Sequence, residues 1–349
     1  MSRALRWSVA AAALAAGLSA GCSYFNGMWS AKRHASDARQ LERRGQPSDA
    51  RAQWAQAAAK AKRWQTPDAV LIQVEGLAYS GACRDAAELI ARARASARDA
   101  TRRERIDLAD AECALAGGDP VRAEAALAAP LVSRNAARRS RAEHVAGRAA
   151  AIRLDYDAAA NQFKRSREPG SAGRALVAEQ QLLIVRATQR ADLPPIATEL
   201  ARLLRTVSGS EEASHVLELL THVTGVSETP AARFRTAEIA RDSLHAPTLA
   251  GRLFVEAVAV DSASLYAPKA LIAALALLPE RRDSLVALLD SRYAASPYTR
   301  VFHGEPSVAY AAAEDALARD LGVQSTRTPG ISAGVLFDPP VPGPRGPRL

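Results

Sequence analysis

The chain carries one pattern that returns four times between about residues 31 and 166. In each copy an alanine is followed four residues later by a bulky apolar residue, and successive alanines are 36, 37 and 36 residues apart. A fixed period of this length is typical of stacked helical hairpins, each of which buries its apolar face against its neighbours. The four pairs are Ala50 and Trp54, Ala86 and Ile90, Ala123 and Leu127, and Ala159 and Phe163.

Two further positions keep the same register. One residue of the set Ala38, Val74, Ala111 and Gly147 lies 12 residues before each of these alanines. A glycine lies five residues before the first three alanines, where we expect the turn of each hairpin. These glycines are Gly45, Gly81 and Gly118. The fourth copy departs from the pattern, because Leu154 followed by Asp155 stands where the glycine is expected.

Composition agrees with a helical protein. The 349 residues are 48% apolar, which is typical of folded chains, and aromatic residues are only 5%. Alanine and arginine dominate, which favours helices that pack closely through small side chains over sheets of β-branched and aromatic residues. The predicted class is all-α.

The N-terminus reads as a processing signal. Arg3 and Arg6 precede an apolar stretch, 9–18, that is too short to span a bilayer as a helix. The ending Ala20-Gly21-Cys22 resembles a bacterial lipoprotein signal, which implies cleavage before Cys22 and lipidation of that cysteine. Lipidation would anchor the protein without a membrane-spanning helix.

Two details of this signal bear on its interpretation. Ser19 stands where the lipoprotein motif usually has leucine, so an ordinary secretory signal is the alternative. Ser23, rather than aspartate, follows the cysteine and resembles the sorting rule for the outer membrane. The next segment, 24–29, is aromatic, and we expect it either to cap the first hairpin or to lie at the membrane interface.

The repeated positions resemble the tetratricopeptide repeat. That family places small residues where two helices cross closely and a bulky apolar residue against the next hairpin. The resemblance implies a right-handed α-α superhelix, a solenoid with a concave face formed by the first helix of each repeat. We expect Ser48 to cap the second helix of the first repeat.

The resulting organisation has six parts. They are a signal peptide (1–21), an anchor linker (22–30), four repeats (31–168), irregular helical hairpins (169–228), C-terminal repeat-like helices (229–322) and a disordered proline-rich tail (323–349).

Cys83 and Cys113 remain after processing. In an oxidising compartment the pair can form a disulfide, and the repeat register puts both on the same side of adjacent hairpins. Two buried thiols are the alternative.

Nothing in the sequence indicates catalysis or a cofactor. It has no hydrolase elbow, phosphate-binding loop or Cys-x-x-Cys pair. His215, Glu218 and His222 share one helical face, and we interpret them as surface or packing residues rather than a metal site. The enzymatic alternative is a cell-wall lyase, but the chain lacks the Glu-Ser pair that this class uses.

In the tetratricopeptide register, a set of charged and aromatic residues faces the concave groove. Such a surface suits an extended or helical peptide that carries acidic residues. The predicted binding residues are Lys32, Arg39, Arg43, Leu71, Glu75, Tyr79, Arg105, Leu108, Glu112, Arg141, His144 and Arg148.

The sequence therefore predicts a non-catalytic lipoprotein of the outer membrane that faces the periplasm and scaffolds an envelope complex. Its predicted partners are envelope proteins in the groove and the membrane through the anchor, with no small-molecule substrate. The net charge is +9, but the basic residues are distributed along the chain with acidic residues nearby, which is typical of a solvated surface. The export signal argues against nucleic acid as a partner. The chain resembles the repeat lipoprotein of the β-barrel assembly machine. Alternatives are a regulator of peptidoglycan synthases or hydrolases, or a pilus-assembly lipoprotein.

Overall fold

The computed structural model describes residues 25–206, 211–225 and 229–322, and within these ranges the chain is helical with no strand. The all-α class is confirmed. The signal peptide, the lipidation site Cys22 and the tail 323–349 lie outside the described residues. The chain divides into two compact units, one ending at Thr224 and the other beginning at Gly225.

The described part of the N-terminal unit contains eleven α-helices. They are α1 (25–43), α2 (Pro47–Ala61), α3 (Pro67–Ser80), α4 (Cys83–Ser96), α5 (Ala100–Ala116), α6 (Pro120–Leu131), α7 (Ala136–Ile152), α8 (Tyr156–Arg165), α9 (Ser171–Arg186), α10 (Leu193–Thr206) and α11 (Glu211–Thr224).

Neighbouring helices in the sequence are neighbours in space. Within this unit each helix from α2 to α10 packs on the next, and α3, α5 and α7 also pack on one another in that order. The start of α1 packs on α2 and α3 through a core that contains Met28, Ala31 and Trp54. This is the arrangement expected when hairpins stack, with α1, α3, α5 and α7 as the first helices and α2, α4, α6 and α8 as the second.

The repeated residues lie in the core of these hairpins. The four alanines that recur with the period, from Ala50 to Ala159, are at most 2% exposed. The bulky residues that follow them, from Trp54 to Phe163, are at most 3% exposed. Gly147 lies 12 positions before Ala159 and shows why that position needs a small residue. A Cβ atom on Gly147 would lie 2.7 Å from the ring of Phe163. The period in the sequence thus marks packing positions.

The beginning of α2 differs from the prediction. Pro47 is the first helical residue and Gln46 occupies the cap position without a side-chain cap, so Ser48 lies inside the helix. Proline fits the first turn because its missing N–H would have no partner there. In the third and fourth hairpins the aspartate after the turn does cap, since Asp119 and Asp155 accept from the backbone N–H groups of Arg122 and Ala158.

Leu154 explains the departure of the fourth copy. Its φ is 63°, in the left-handed region where Gly45, Gly81 and Gly118 also lie. The turn therefore keeps one backbone conformation in all four hairpins, and the fourth uses a leucine that is 44% exposed. An L-residue with a Cβ atom is strained in this region.

We expect Leu154→Gly to stabilise the N-terminal unit by about 0.5–1 kcal/mol. Glycine removes the left-handed strain of about 1–2 kcal/mol, and its greater freedom in the unfolded chain offsets part of that gain. Urea unfolding of the variant and of the wild type measures the difference. Gly118→Leu, with φ at 75°, is the matched control and should destabilise; equal or lower stability of Leu154→Gly would contradict the account.

The C-terminal unit contains six α-helices in its described part. They are α12 (Pro230–Glu238), α13 (Pro247–Val260), α14 (Ala267–Leu277), α15 (Arg282–Tyr293), α16 (Pro297–Phe302) and α17 (Ala309–Asp320). Helix α12 continues into a π-helical turn (Ile239–Ser243).

Aromatic packing and polar contacts hold this unit together. The ring of Phe234 lies 5.2 Å from the rings of both Phe254 and Tyr266, and the Tyr266 hydroxyl donates to Asp320 at 2.5 Å. Across all the described ranges, no helix is both long and apolar enough to cross a bilayer.

Candidate functional site

A buried carboxylate joins three of the first helices. Glu75 on α3 is 3% exposed, and it accepts from Arg39 on α1 at 2.8 Å and from Arg105 on α5 at 2.6 and 2.7 Å. A buried carboxylate needs such partners, because burial removes its hydration. These three predicted binding residues are therefore brought together, and they bind one another.

A second set of ion pairs lies between α5 and α7 and reaches α1. Arg148 donates to Glu112 at 2.7 Å, and Arg141 lies 3.7 Å from the same carboxylate. Arg141 also donates to Glu42 at 2.7 Å, although 99 residues separate the two in the sequence. The end of α1 is thus tied directly to α7. Burial acts to raise the pKa of Glu112, but Arg148 and Arg141 outweigh it and hold that pKa below its usual range.

Tyr79 on α3 lies between these pairs. The guanidinium of Arg141 lies 4.1 Å from the centre of its ring, and the ring of Trp54 is 5.0 Å away. Burial raises the pKa of the Tyr79 hydroxyl well above its usual value. Such a cation–π contact stabilises most where water is excluded, so Tyr79 holds Arg141 in place.

His144 lies on α7 beside the same network. Its Nδ1 is 2.7 Å from the Ser171 hydroxyl, and the ring of Phe163 is 5.6 Å away in an edge-on arrangement. Burial, with the nearby charges of Arg148 and Arg174, lowers the pKa of His144 to about 4. The imidazole is therefore neutral at pH 7.

We expect acid to destabilise the N-terminal unit through His144. Because its folded pKa of about 4 is below its unfolded value, this contribution is full above about pH 6.5 and is lost as the pH falls toward 4. The free energy of unfolding should fall by on the order of 2 kcal/mol between about pH 7 and pH 5. Urea unfolding at several pH values measures it. His144→Gln should flatten that slope, and an unchanged slope in the variant would contradict the prediction.

Next to these pairs lies a cavity of about 690 Å³. It is bounded by the turn between α1 and α2, the end of α3, helix α7 and the start of α9. Its volume is in the range of small-ligand pockets, about 300–1,000 Å³. Six arginines and three glutamates line it, namely Arg43, Arg44, Arg51, Arg141, Arg148, Arg174, Glu42, Glu112 and Glu168.

The charges of this cavity are not equally available. Glu42 and Glu112 are already paired with Arg141 and Arg148. Within the described ranges, the exposed residues Arg43, Arg44 and Arg51 form no ion pair. Burial raises the pKa of Glu168, the third carboxylate. The cavity therefore has a positive rim, and it favours anionic groups.

The helix ends around the cavity do not change this preference. The N-terminal ends of α2 and α9, with Pro47 and Gly170, carry partial positive charge, and the ends of α3 and α5, with Gly81 and Ala116, carry partial negative charge. Because both kinds are present, the side chains decide the sign.

Some predicted groove residues lie elsewhere. Leu71 and Leu108 are core residues, 4% and 3% exposed, because their side of the first helix packs on neighbouring helices. Lys32 is exposed and lies 3.7 Å from Asp68, outside the cavity lining. Cys83 and Cys113 form a disulfide with their Cα atoms 5.2 Å apart, also outside that lining.

Sequence reasoning missed Glu42, Arg44, Arg51, Glu168 and Arg174. All are near helix ends, which the repeat pattern locates poorly. It also missed that the charges pair, although a signal was present. Arg39 and Glu75 are one period apart, as are Glu112 and Arg148, and each lies one residue after a member of the repeated set Ala38, Val74, Ala111 and Gly147. Opposite charges at one repeat position in adjacent copies predict an ion pair between adjacent hairpins.

Comparison of the chain with protein-family models, with curated proteins and with solved structures gave no match. In the ranges that the structure describes, no group of three or more His, Cys, Asp or Glu side chains is placed to hold a metal ion.

Proposed function

We propose that this chain is a non-catalytic, lipid-anchored scaffold of the bacterial outer membrane that faces the periplasm. In this proposal its N-terminal unit is a right-handed, tetratricopeptide-like solenoid that holds a protein of an envelope complex, with outer-membrane protein assembly as the leading task. The observation that carries the proposal is the arginine-rimmed cavity on stacked hairpins, next to ion pairs that fix its walls.

Internal contacts of the first helices limit which charged residues a partner would reach. Glu75, Glu112 and Tyr79 are occupied by internal contacts, so the first helices offer no continuous charged groove. An acidic segment of the partner would enter the cavity and pair with Arg43, Arg44 and Arg51. A guanidinium group is only weakly hydrated, so its dehydration on binding costs little. Its planar N–H groups can also donate two parallel hydrogen bonds to one carboxylate.

The test is crosslinking in intact cells. A photo-reactive residue in place of Arg44 should capture a defined envelope protein, which mass spectrometry then identifies. We expect Arg43→Glu with Arg51→Glu to reduce capture at least about tenfold, because charge reversal at an interface turns attraction into repulsion. The matched control, Arg84→Glu with Arg165→Glu, makes the same charge change at exposed residues outside the cavity lining and should leave capture unchanged.

The possible outcomes separate the candidate functions. Capture of a component of the barrel-assembly machine supports the leading task, and recovery of only cell-wall enzymes supports the regulator of peptidoglycan enzymes instead. Equal capture by the cavity variant and its control would move the binding surface away from the cavity. A cleared band on a peptidoglycan gel, abolished by a single carboxylate change, would contradict the non-catalytic proposal.

A further inference from the structure

Two aromatic side chains at the start of α1 are open to solvent. Phe25 is 70% exposed and Trp29 is 56% exposed, and they lie four residues apart on one side of the helix. Every other aromatic side chain in the described residues is buried or half-buried. Met28 between them is 4% exposed and packs in the core, so α1 is firmly attached while its aromatic side faces outward. The aromatic segment therefore does not cap the first hairpin through these two rings.

A cluster of cations lies at the end of α2. Lys60, Lys62 and Arg63 are exposed, and within the described ranges none of them forms an ion pair. They occupy three of the four positions 60–63, at and just beyond the C-terminal end of the helix, where positive charge is favourable. This part of the surface therefore carries a local charge of about +3 that nothing in the same element neutralises.

The aromatic and basic residues belong to one end of the N-terminal unit. Trp64 follows the cation cluster directly and packs against the core that contains Met28. Gly27 lies so close to Trp64 that a Cβ atom on it would be 3.0 Å from the indole nitrogen. The start of α1 is thus in contact with the segment that directly follows α2. We call the exposed residues Phe25, Trp29, Lys60, Lys62 and Arg63 the N-terminal patch.

Acidic residues near this end are already engaged. Asp37 lies 4.0 Å from Arg33, and Asp68 lies 3.7 Å from Lys32 and 2.9 Å from Arg102. Arg33 also lies over the ring of Trp29, 5.4 Å from its centre. These carboxylates therefore have cations of their own and leave the charge of the cluster in place.

We propose that the N-terminal patch docks on the surface of an anionic phospholipid bilayer. Exposed aromatic rings together with unpaired Lys and Arg at one end of a folded unit are a combination that binds the boundary between headgroups and acyl chains, through apolar burial and attraction to anionic lipid. The chain continues from Phe25 toward Cys22, three residues away, so the patch lies where the proposed lipid anchor begins. Docking would hold the unit against the membrane instead of leaving it on a free tether.

The test measures vesicle binding without the anchor. The protein from Ser23 onward keeps every described residue and carries no lipid, so binding reports the patch alone. We expect it to cosediment with phosphatidylcholine vesicles that contain about 30% phosphatidylglycerol, and to be released when the salt rises from about 0.01 to 1 M. Lys60→Glu with Lys62→Glu should weaken this binding by at least about tenfold, and Phe25→Ser with Trp29→Ser by at least about fivefold.

Matched controls separate the patch from general surface effects. Arg84→Glu with Arg165→Glu makes the same charge change elsewhere, and Val132→Ser removes an apolar side chain that is 80% exposed. Both should bind vesicles like the wild type, and all variants should keep the wild-type melting temperature because the changed side chains are exposed.

Several results would overturn the inference. They are absence of vesicle binding, equal binding to pure phosphatidylcholine, and equal loss in patch and control variants. Loss of a protein crosslink in the patch variants, with no vesicle binding in the wild type, would assign the patch to a protein partner instead. The inference does not depend on the cavity, because cavity variants should bind vesicles normally even where they lose partner capture.

Discussion

Removing the Cys83–Cys113 disulfide should lower the free energy of unfolding of the N-terminal unit by about 3.5 kcal/mol. The bond joins residues 30 positions apart and so limits the freedom of the unfolded chain, which in the chain-entropy account gives that value. It also links the beginning of α4 to α5, which places the constraint between two hairpins rather than within one.

Urea unfolding with and without reductant measures this effect. The variant Cys83→Ala with Cys113→Ala should unfold at the lower urea concentration under both conditions, whereas the wild type should fall to that value only when reduced. Counting free thiols in the unreduced wild-type protein gives an independent check. If reductant leaves the urea unfolding midpoint of the wild type unchanged, or if the unreduced protein has two free thiols, the cysteines are not bonded in solution.

Arg105→Glu should destabilise the N-terminal unit by about 3–5 kcal/mol. The change removes two hydrogen bonds to Glu75 and puts a second carboxylate beside one that is 3% exposed. Breaking a buried pair from one side costs this much because the remaining charge keeps its desolvation penalty. Charge reversal at Arg105 therefore tests stability, and it cannot serve as a test of partner binding alone.

Thermal and urea unfolding compare this variant with two controls. Arg43→Glu makes the same charge change at an exposed residue and should alter stability by no more than about 0.5 kcal/mol. Arg105→Met with Glu75→Leu replaces the pair by apolar side chains and should cost less than Arg105→Glu, since it leaves no buried carboxylate; Arg39 also loses its partner Glu75, but its side chain is 40% exposed and reaches water. Similar losses in Arg105→Glu and Arg43→Glu would mean that the Glu75 pairs contribute little.

The packing of the hairpins could be predicted because it repeats. A small side chain is required wherever two helices cross closely, and this requirement returns at every period, so Ala86 and Ala123 could be recognised without any structure. Even the exception at Leu154 was visible as a break in the pattern. Helix boundaries were less accurate, because a local choice such as Pro47 at the first position moves the cap by one or two residues.

The state of the charged residues could not be predicted in the same way. Periodicity places Arg39, Glu75 and Arg105 on first helices, but it does not give the distance between those helices, and that distance decides whether the charges meet each other or the solvent. The cavity could not be predicted for a second reason. Its rim residues Arg44 and Arg51 lie at a turn and near a helix start, where the repeat pattern does not fix side-chain positions. Such positions depend on how successive hairpins are rotated.

The contact between Glu42 and Arg141 has a consequence for the order in which the unit folds. Most packing in this unit joins helices adjacent in the chain and needs only short loops to close, whereas this ion pair closes a loop of 99 residues. It forms only when the hairpins between α1 and α7 are already in place, so it belongs to the late part of folding. Arg141→Gln should therefore speed unfolding and leave the folding rate nearly unchanged, which stopped-flow kinetics would show. A nascent chain that ends before α7 would expose Glu42 and Tyr79, and the pair thus marks the point at which the unit is complete.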